Sequence, residues 1–192
     1  NLTKEKIKSI LMKKYFNENE KNSEGIFNDE EISNFFDKHF MEYSIKKINM
    51  DVLTMLQLGV GQEIKGSPSA FMNWLKPTIL KADKGKISLK YVVRDEMTNA
   101  MGNLHGGVTS GIIDDILGAT VFTLGEQQFF ATINLSIDYL SAVKNGDTVV
   151  AHSKIIKHGK QLIHAECEIW NADETRLVAR GQSNLIRTEL KK

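Results

Sequence analysis

The chain has 192 residues, with 25 Lys or Arg against 24 Asp or Glu and a net charge of +1. That length suits one well-packed domain with an accessory segment and falls short of two full-sized domains. The balanced charge lacks a basic block able to track a phosphate backbone, which argues against nucleic acid as a partner, and no stretch approaches the ~18 consecutive apolar residues of a membrane span. The lysine-rich first fifteen residues supply no secretory apolar core, so a cytoplasmic location is expected. Cys167 is the single cysteine and can form no internal disulfide. It falls in an alternating strand pattern with no histidine relay beside it, which reads as buried filler rather than a nucleophile.

In chain order, Ile7, Ile10, Leu11 and Tyr15 recur at helical spacing, and the polar NENEKNSEG (17–25) reads as a linker. Asn28 followed by Glu31 resembles a capping box, and Ile32, Phe35, Phe36, Phe40 and Tyr43 then trace one helical face. Ile45, Ile48, Val52, Leu53, Met55 and Leu56 continue that spacing as far as Gly59 and Gly61. Residues 1–66 are therefore expected to form a helical N-terminal extension, and residues 67–192 the main domain. Ser67-Pro68 places a cap residue before a proline at the first helical position, which predicts a short helix over AFMNWLK, ended by Pro77.

After Pro77 the pattern becomes short and alternating: TILKA, KISLKYVV, FFATINLSIDYL, DTVVAHSKIIK, QLIHAECEIW and RLVARGQSNLI read as strands. Turn signals at Lys84-Gly85, Asn145-Gly146-Asp147, His158-Gly159 and 171–175 separate them, and such short connectors favour antiparallel neighbours. One long helical pattern, about Gly106 to Leu124, interrupts the strands after the second. The expected class is α+β, a sheet able to wrap one long helix.

That helix has two faces. Val108, Ile112, Ile113, Ile116, Leu117 and Val121 form a wide apolar stripe. Gly107, Gly111, Asp114 and Gly118, spaced by four, three and four, share another face, so Asp114 stands in a strip without side chains. Each interior glycine costs about 1 kcal/mol relative to alanine, which implies close approach of another backbone or of a ligand. A carboxylate in that strip favours the ligand. Asp115 lies about 100° round the helix and reads as a solvated or hydrogen-bonded neighbour. At the helix start, glycines leave backbone N–H groups uncovered with the helix dipole behind them, where a developing oxyanion could be held. His105 just before the helix suits backbone capping at least as well as proton transfer.

The segment TNAMGNLHGGVTSGIIDD, with ATINLSIDYLSAVKNGD and the strands after it, resembles the hotdog-fold acyl-CoA thioesterases, in the phenylacetyl-CoA thioesterase-like branch. The resemblance covers about residues 70–188 and leaves the helical extension outside the usual pattern. It implies an antiparallel sheet wrapped around a central helix. It also implies that Asp114 is the catalytic carboxylate, as general base or nucleophile, that Gly106 N–H and the Asn99 amide polarise the thioester carbonyl, and that His105 and Gly107 support this loop. Thr132 falls where some members carry a serine that orients water. Two protomers are implied to complete each site, with dimers pairing into tetramers. Helix geometry agrees, since Gly107 and Asp114 are about 10 Å apart along the axis, too far for one thioester to touch both within a chain.

The expected reaction is hydrolysis of an acyl-CoA to a free acid and CoA, with no cofactor and no metal. His152, His158 and His164 are scattered without carboxylate or cysteine partners at ligand spacing. Lys157, His158 and Lys160 are candidates for the CoA nucleotide. A non-catalytic acyl-CoA sensor or interaction module on the same fold is the alternative. A dehydratase of this fold would need a proline-rich histidine loop, and the chain's two prolines, Pro68 and Pro77, lie elsewhere.

Overall fold

A computed structural model of the chain describes residues 51–126 and 128–188. The helices expected over 7–15 and 28–43 lie outside the described residues. The run expected from Ile45 is seen from α1 (Val52–Leu58), which opens on Asp51, whose carboxylate accepts the Thr54 amide at 2.9 Å. Met55 and Leu56 are buried, and Leu56 shares the domain core with Ile64.

The next helix, α2 (Ala70–Leu75), begins where the expected AFMNWLK does, but its cap lies two residues later than the Ser67-Pro68 signal predicts. Asn73 explains the shift: its side chain accepts the Ser67 amide at 2.9 Å and donates to the Ser67 carbonyl at 2.7 Å, holding that segment outside the helix. Ser69 caps instead, accepting the Met72 amide at 3.1 Å. The helix stops at Lys76, which takes a left-handed φ of 54° just before Pro77.

Six strands follow close to the expected positions: β1 (Thr78–Asp83), β2 (Lys86–Val92), β3 (Phe129–Tyr139), β4 (Thr148–His158), β5 (Leu162–Asn171) and β6 (Leu177–Thr188). All pairs are antiparallel, in the order β1-β2-β4-β5-β6-β3. The long helix, α3 (Gly106–Phe122), packs its Ile112, Ile113, Ile116 and Leu117 against β2, β4, β5 and β6. This is the hotdog arrangement, a sheet wrapped on one helix. Small residues on the sheet let the helix approach: a Cβ on Gly181 would lie 3.0 Å from Ile113 and 3.1 Å from the Ser136 carbonyl. Thr120 joins the buried face by donating to Ser153 at 2.8 Å, a polar seam that an apolar pattern does not register. Cys167 is buried in this core, where burial pushes its thiol pKa up.

The rule that short connectors join neighbouring strands holds for β1–β2, β4–β5 and β5–β6 and fails for β3–β4. The 140–147 connection crosses one end of the sheet, giving Leu140 and Ser141 N–H to the Val178 carbonyl, taking the Leu104 N–H at Val143 and giving Gly146 N–H to Val93. β3 is consequently an edge strand. Its pairing with β6 slips between Thr132 and Asn134, leaving Ile133 as an extra residue. Phe130 is buried before the slip, and Leu135 and Ile137 pack on the core after it, so the inward positions change from even to odd numbers.

Candidate active site

The loop before α3 is tied at several points. Asn99 and Asn103 bond through their backbones at 2.8 Å, Gly102 turns at φ +72°, and His105 N–H donates to Met97 at 2.9 Å. Within the loop, the Asn99 side-chain oxygen accepts the amides of Met101 (2.9 Å) and Asn103 (3.2 Å). Two amide donors on one oxygen fix the orientation of this side chain and leave its NH₂ group without an acceptor among the described residues.

His105 is the N-cap of α3. Its Nδ1 accepts the Gly107 amide at 2.8 Å, so in the neutral ring the proton sits on Nε2. Of the two readings of this histidine, backbone capping is what the geometry contains. The uncovered amides of the helix start are also reduced: Gly107 N–H is taken, Val108 and Thr109 N–H both donate to the His105 carbonyl at 2.9 Å, and Gly106 N–H alone of these four has no acceptor among the described residues. Gly106 and Asn99 line a cleft of about 400 Å³ with Tyr139, Ser141 and Val143.

Asp114 is exposed, eight residues along the helix from Gly106, which is about 12 Å along the axis. Thr132 Oγ1 donates to its Oδ1 at 2.8 Å, so α3 and β3 bring these two predicted side chains together. The strip around Asp114 divides. A Cβ on Gly111 would fall 2.5 Å from the Phe71 ring, so that glycine serves close packing of α2, whereas Gly118 has no atom within 4 Å. Asp115 is hydrogen-bonded rather than solvated: Ser69 Oγ donates to its Oδ1 at 3.0 Å while Oδ2 is buried without a partner among the described residues. Burial, with a smaller push from the Asp114 charge and against the Ser69 bond, brings its pKa up to about 6.

Lys157, His158 and Lys160 are exposed at the opposite end of α3, where His158 Nε2 contacts Glu126 Oε1 at 3.1 Å, four residues beyond the helix. Within one chain this turn does not meet the Asn99–Gly106 loop. Of the other histidines, His152 meets Glu174 at 3.1 Å and His164 meets Asn184 at 3.0 Å, and among the described residues no three metal-binding side chains converge. Sequence reasoning missed two hydroxyls beside Gly106, those of Ser110 and Tyr139, which are 2.6 Å apart. Ser110 was findable, four residues on from Gly106 on the same helix face. Tyr139 was not, since uninterrupted alternation from Thr132 would point it away from the helix.

With this geometry in place, residues 101–178 match the model of the thioesterase superfamily. Human acyl-coenzyme A thioesterase 13 is 30% identical over 107 residues, covering 56% of this chain and 76% of that protein. Zebrafish thioesterase superfamily member 2 superposes with a TM-score of 0.59 at 25% identity, over 64% of this chain and 89% of that one. A hypothetical thioesterase from Streptococcus pneumoniae, solved with coenzyme A, gives a TM-score of 0.56 at 26% identity, over 60% and 88% of the two chains.

Proposed function

The chain belongs to the thioesterase superfamily, and we propose that it hydrolyses acyl-CoA thioesters to a free acid and CoA at sites shared by two copies of the chain. The observation that carries this reading is the complementary pair of half-sites: a Gly106 N–H and an Asn99 amide that have no acceptor among the described residues and line one cleft, and an Asp114 carboxylate held by Thr132. One half-site offers donors to a carbonyl oxygen that gains negative charge, and the other offers a base or nucleophile to the carbon beside it. The coenzyme A held by the pneumococcal relative agrees with the substrate class.

The half-sites are about 12 Å apart along the helix axis within a chain, so a second copy brings its own Asp114 to the Gly106 loop. The edge strand β3 is the surface suited to that pairing. It is 11 residues long with Phe130 as its only buried residue, and it exposes Phe129, Ile133 and Tyr139. A long apolar edge left open would be an aggregation hazard, and pairing with β3 of the partner continues the sheet. In this reading Asn99 and Gly106 of one protomer polarise the thioester, while Asp114 of its partner, steadied by Thr132, activates water or attacks directly. Lys157 and Lys160 are the cations assigned to the CoA phosphates, and dimers pair into tetramers.

Thiol release from a panel of acyl-CoAs, followed for wild type and Asp114→Asn, tests the proposal. Wild type turns over at least one of them, and the variant loses about 10²-fold or more of kcat. Equal low rates for the two proteins leave no enzyme to explain.

A further inference from the structure

The hydroxyls of Ser110 and Tyr139 converge on the carbonyl of Gly106. Ser110 Oγ donates to it at 2.9 Å, Tyr139 OH lies 3.3 Å from it, and the two hydroxyl oxygens are 2.6 Å apart. Each hydroxyl has one proton, and the shorter contacts place that of Tyr139 on Ser110 and that of Ser110 on the carbonyl, a relay of two bonds. The same peptide unit is fixed at its other end, where Gly107 N–H donates to His105 Nδ1 at 2.8 Å. A peptide with both N–H and C=O held thus sits between two consecutive glycines, where the backbone has its widest conformational freedom. The Gly106 N–H belongs to the preceding peptide plane, whose His105 carbonyl accepts the Val108 and Thr109 amides, so holding the Gly106–Gly107 plane fixes the second of the two planes that meet at the Gly106 Cα and limits the swing of that N–H. The Tyr139 ring also rests beside Gly106, 3.5 Å from where a Cβ would be.

We infer that Tyr139 and Ser110 are positioning residues that hold the Gly106 N–H on the thioester carbonyl oxygen, acting through the Gly106 carbonyl. This rests on the reading of Gly106 N–H as an oxyanion donor under Proposed function. A preorganised donor stabilises charge that develops in the transition state, so loosening it lowers kcat and leaves ground-state binding alone.

Tyr139→Phe keeps the ring and removes the hydroxyl. With an acyl-CoA that wild type hydrolyses, kcat falls about tenfold, a fraction of the 10²–10³ lost with a whole oxyanion donor. KM and the thermal midpoint stay at their wild-type values. Ser110→Ala gives the same loss, and the double variant is no slower than the slower single, because the two hydroxyls act in series. A merely structural role would instead lower the midpoint or raise KM at constant kcat. An unchanged kcat in Tyr139→Phe, or losses that multiply in the double variant, overturns the relay. If wild type hydrolyses and Asp114→Asn does not, a Tyr139→Phe variant with the wild-type kcat sinks this inference alone; if wild type releases no thiol from any acyl-CoA, the proposed function falls and the relay with it.

Discussion

Replacing Asp115 with asparagine stabilises the protein at pH 8 and does little at pH 4. In the folded chain burial raises this carboxyl from its ordinary 3.8 to about 6, which means that folding favours the protonated form. Between those values the native state binds more protons than the unfolded chain, so the group's contribution to stability declines as pH rises from about 4 to about 6 and stays reduced above. The rise corresponds to about 3 kcal/mol at ~1.4 kcal/mol per pKa unit, and solvent screening of this partly exposed side chain cuts it to about 1–2 kcal/mol. Asparagine keeps an acceptor for Ser69 and removes the charge, while the position of Oδ2 has no partner among the described residues in either protein, so that cost cancels to first order. Urea unfolding of both proteins at pH 4 and pH 8 measures the difference. Thiol release by Asp115→Asn remains at the wild-type rate, in contrast to Asp114→Asn. A variant no more stable than wild type at pH 8, or one equally stabilised at both pH values, refutes the account of this carboxylate.

Thr132→Val removes the hydroxyl at nearly constant shape, and loss of a hydrogen bond to a carboxylate, worth about 1.5–3 kcal/mol, lowers kcat about 10- to 100-fold in steady-state assays. Gly118→Ala raises stability by about 1 kcal/mol through helix propensity because a Cβ there meets nothing. Gly111→Ala forfeits that gain, since its Cβ must displace the Phe71 ring from the Trp74 ring it stacks on at 5.5 Å; equal gains in urea unfolding would contradict the packing described.

The strands and the central helix were legible because period-two and helical patterns meet clear turn residues, and Asn99, Gly106 and Asp114 are proposed as site residues from the resemblance carried by TNAMGNLHGGVTSGIIDD. What the pattern could not give were relations across the chain. Asn73 reaches back to Ser67 and moves a helix cap by two residues, and His105 Nδ1 occupies the Gly107 amide and leaves Gly106 N–H as the one of these amides without an acceptor among the described residues. Phe71 over Gly111 shows the same limit, since a glycine spared for packing and a glycine spared for a ligand read alike in sequence. The expectation that short connectors join neighbouring strands failed at β3–β4 for a related reason: the 140–147 connector is short enough for a hairpin, and only its bonds to Val178, Leu104 and Val93 carry it across the sheet end.

The extra residue at Ile133 makes the spacing between Thr132 and Tyr139 a matter of arithmetic. They stand seven positions apart, an odd number, yet both reach α3. In an unbroken strand an odd separation sends two side chains to opposite faces, so the Asp114 contact and the Gly106 contact are served by one strand only because a single residue is left over between them. β3 thus has a reading frame of two with one built-in shift. While that extra residue is kept, insertions or deletions between these positions are compatible with both contacts only in pairs; loss of Ile133 alone would remove the shift with it and leave an unbroken strand in which the two positions, now six apart, still share the face toward α3.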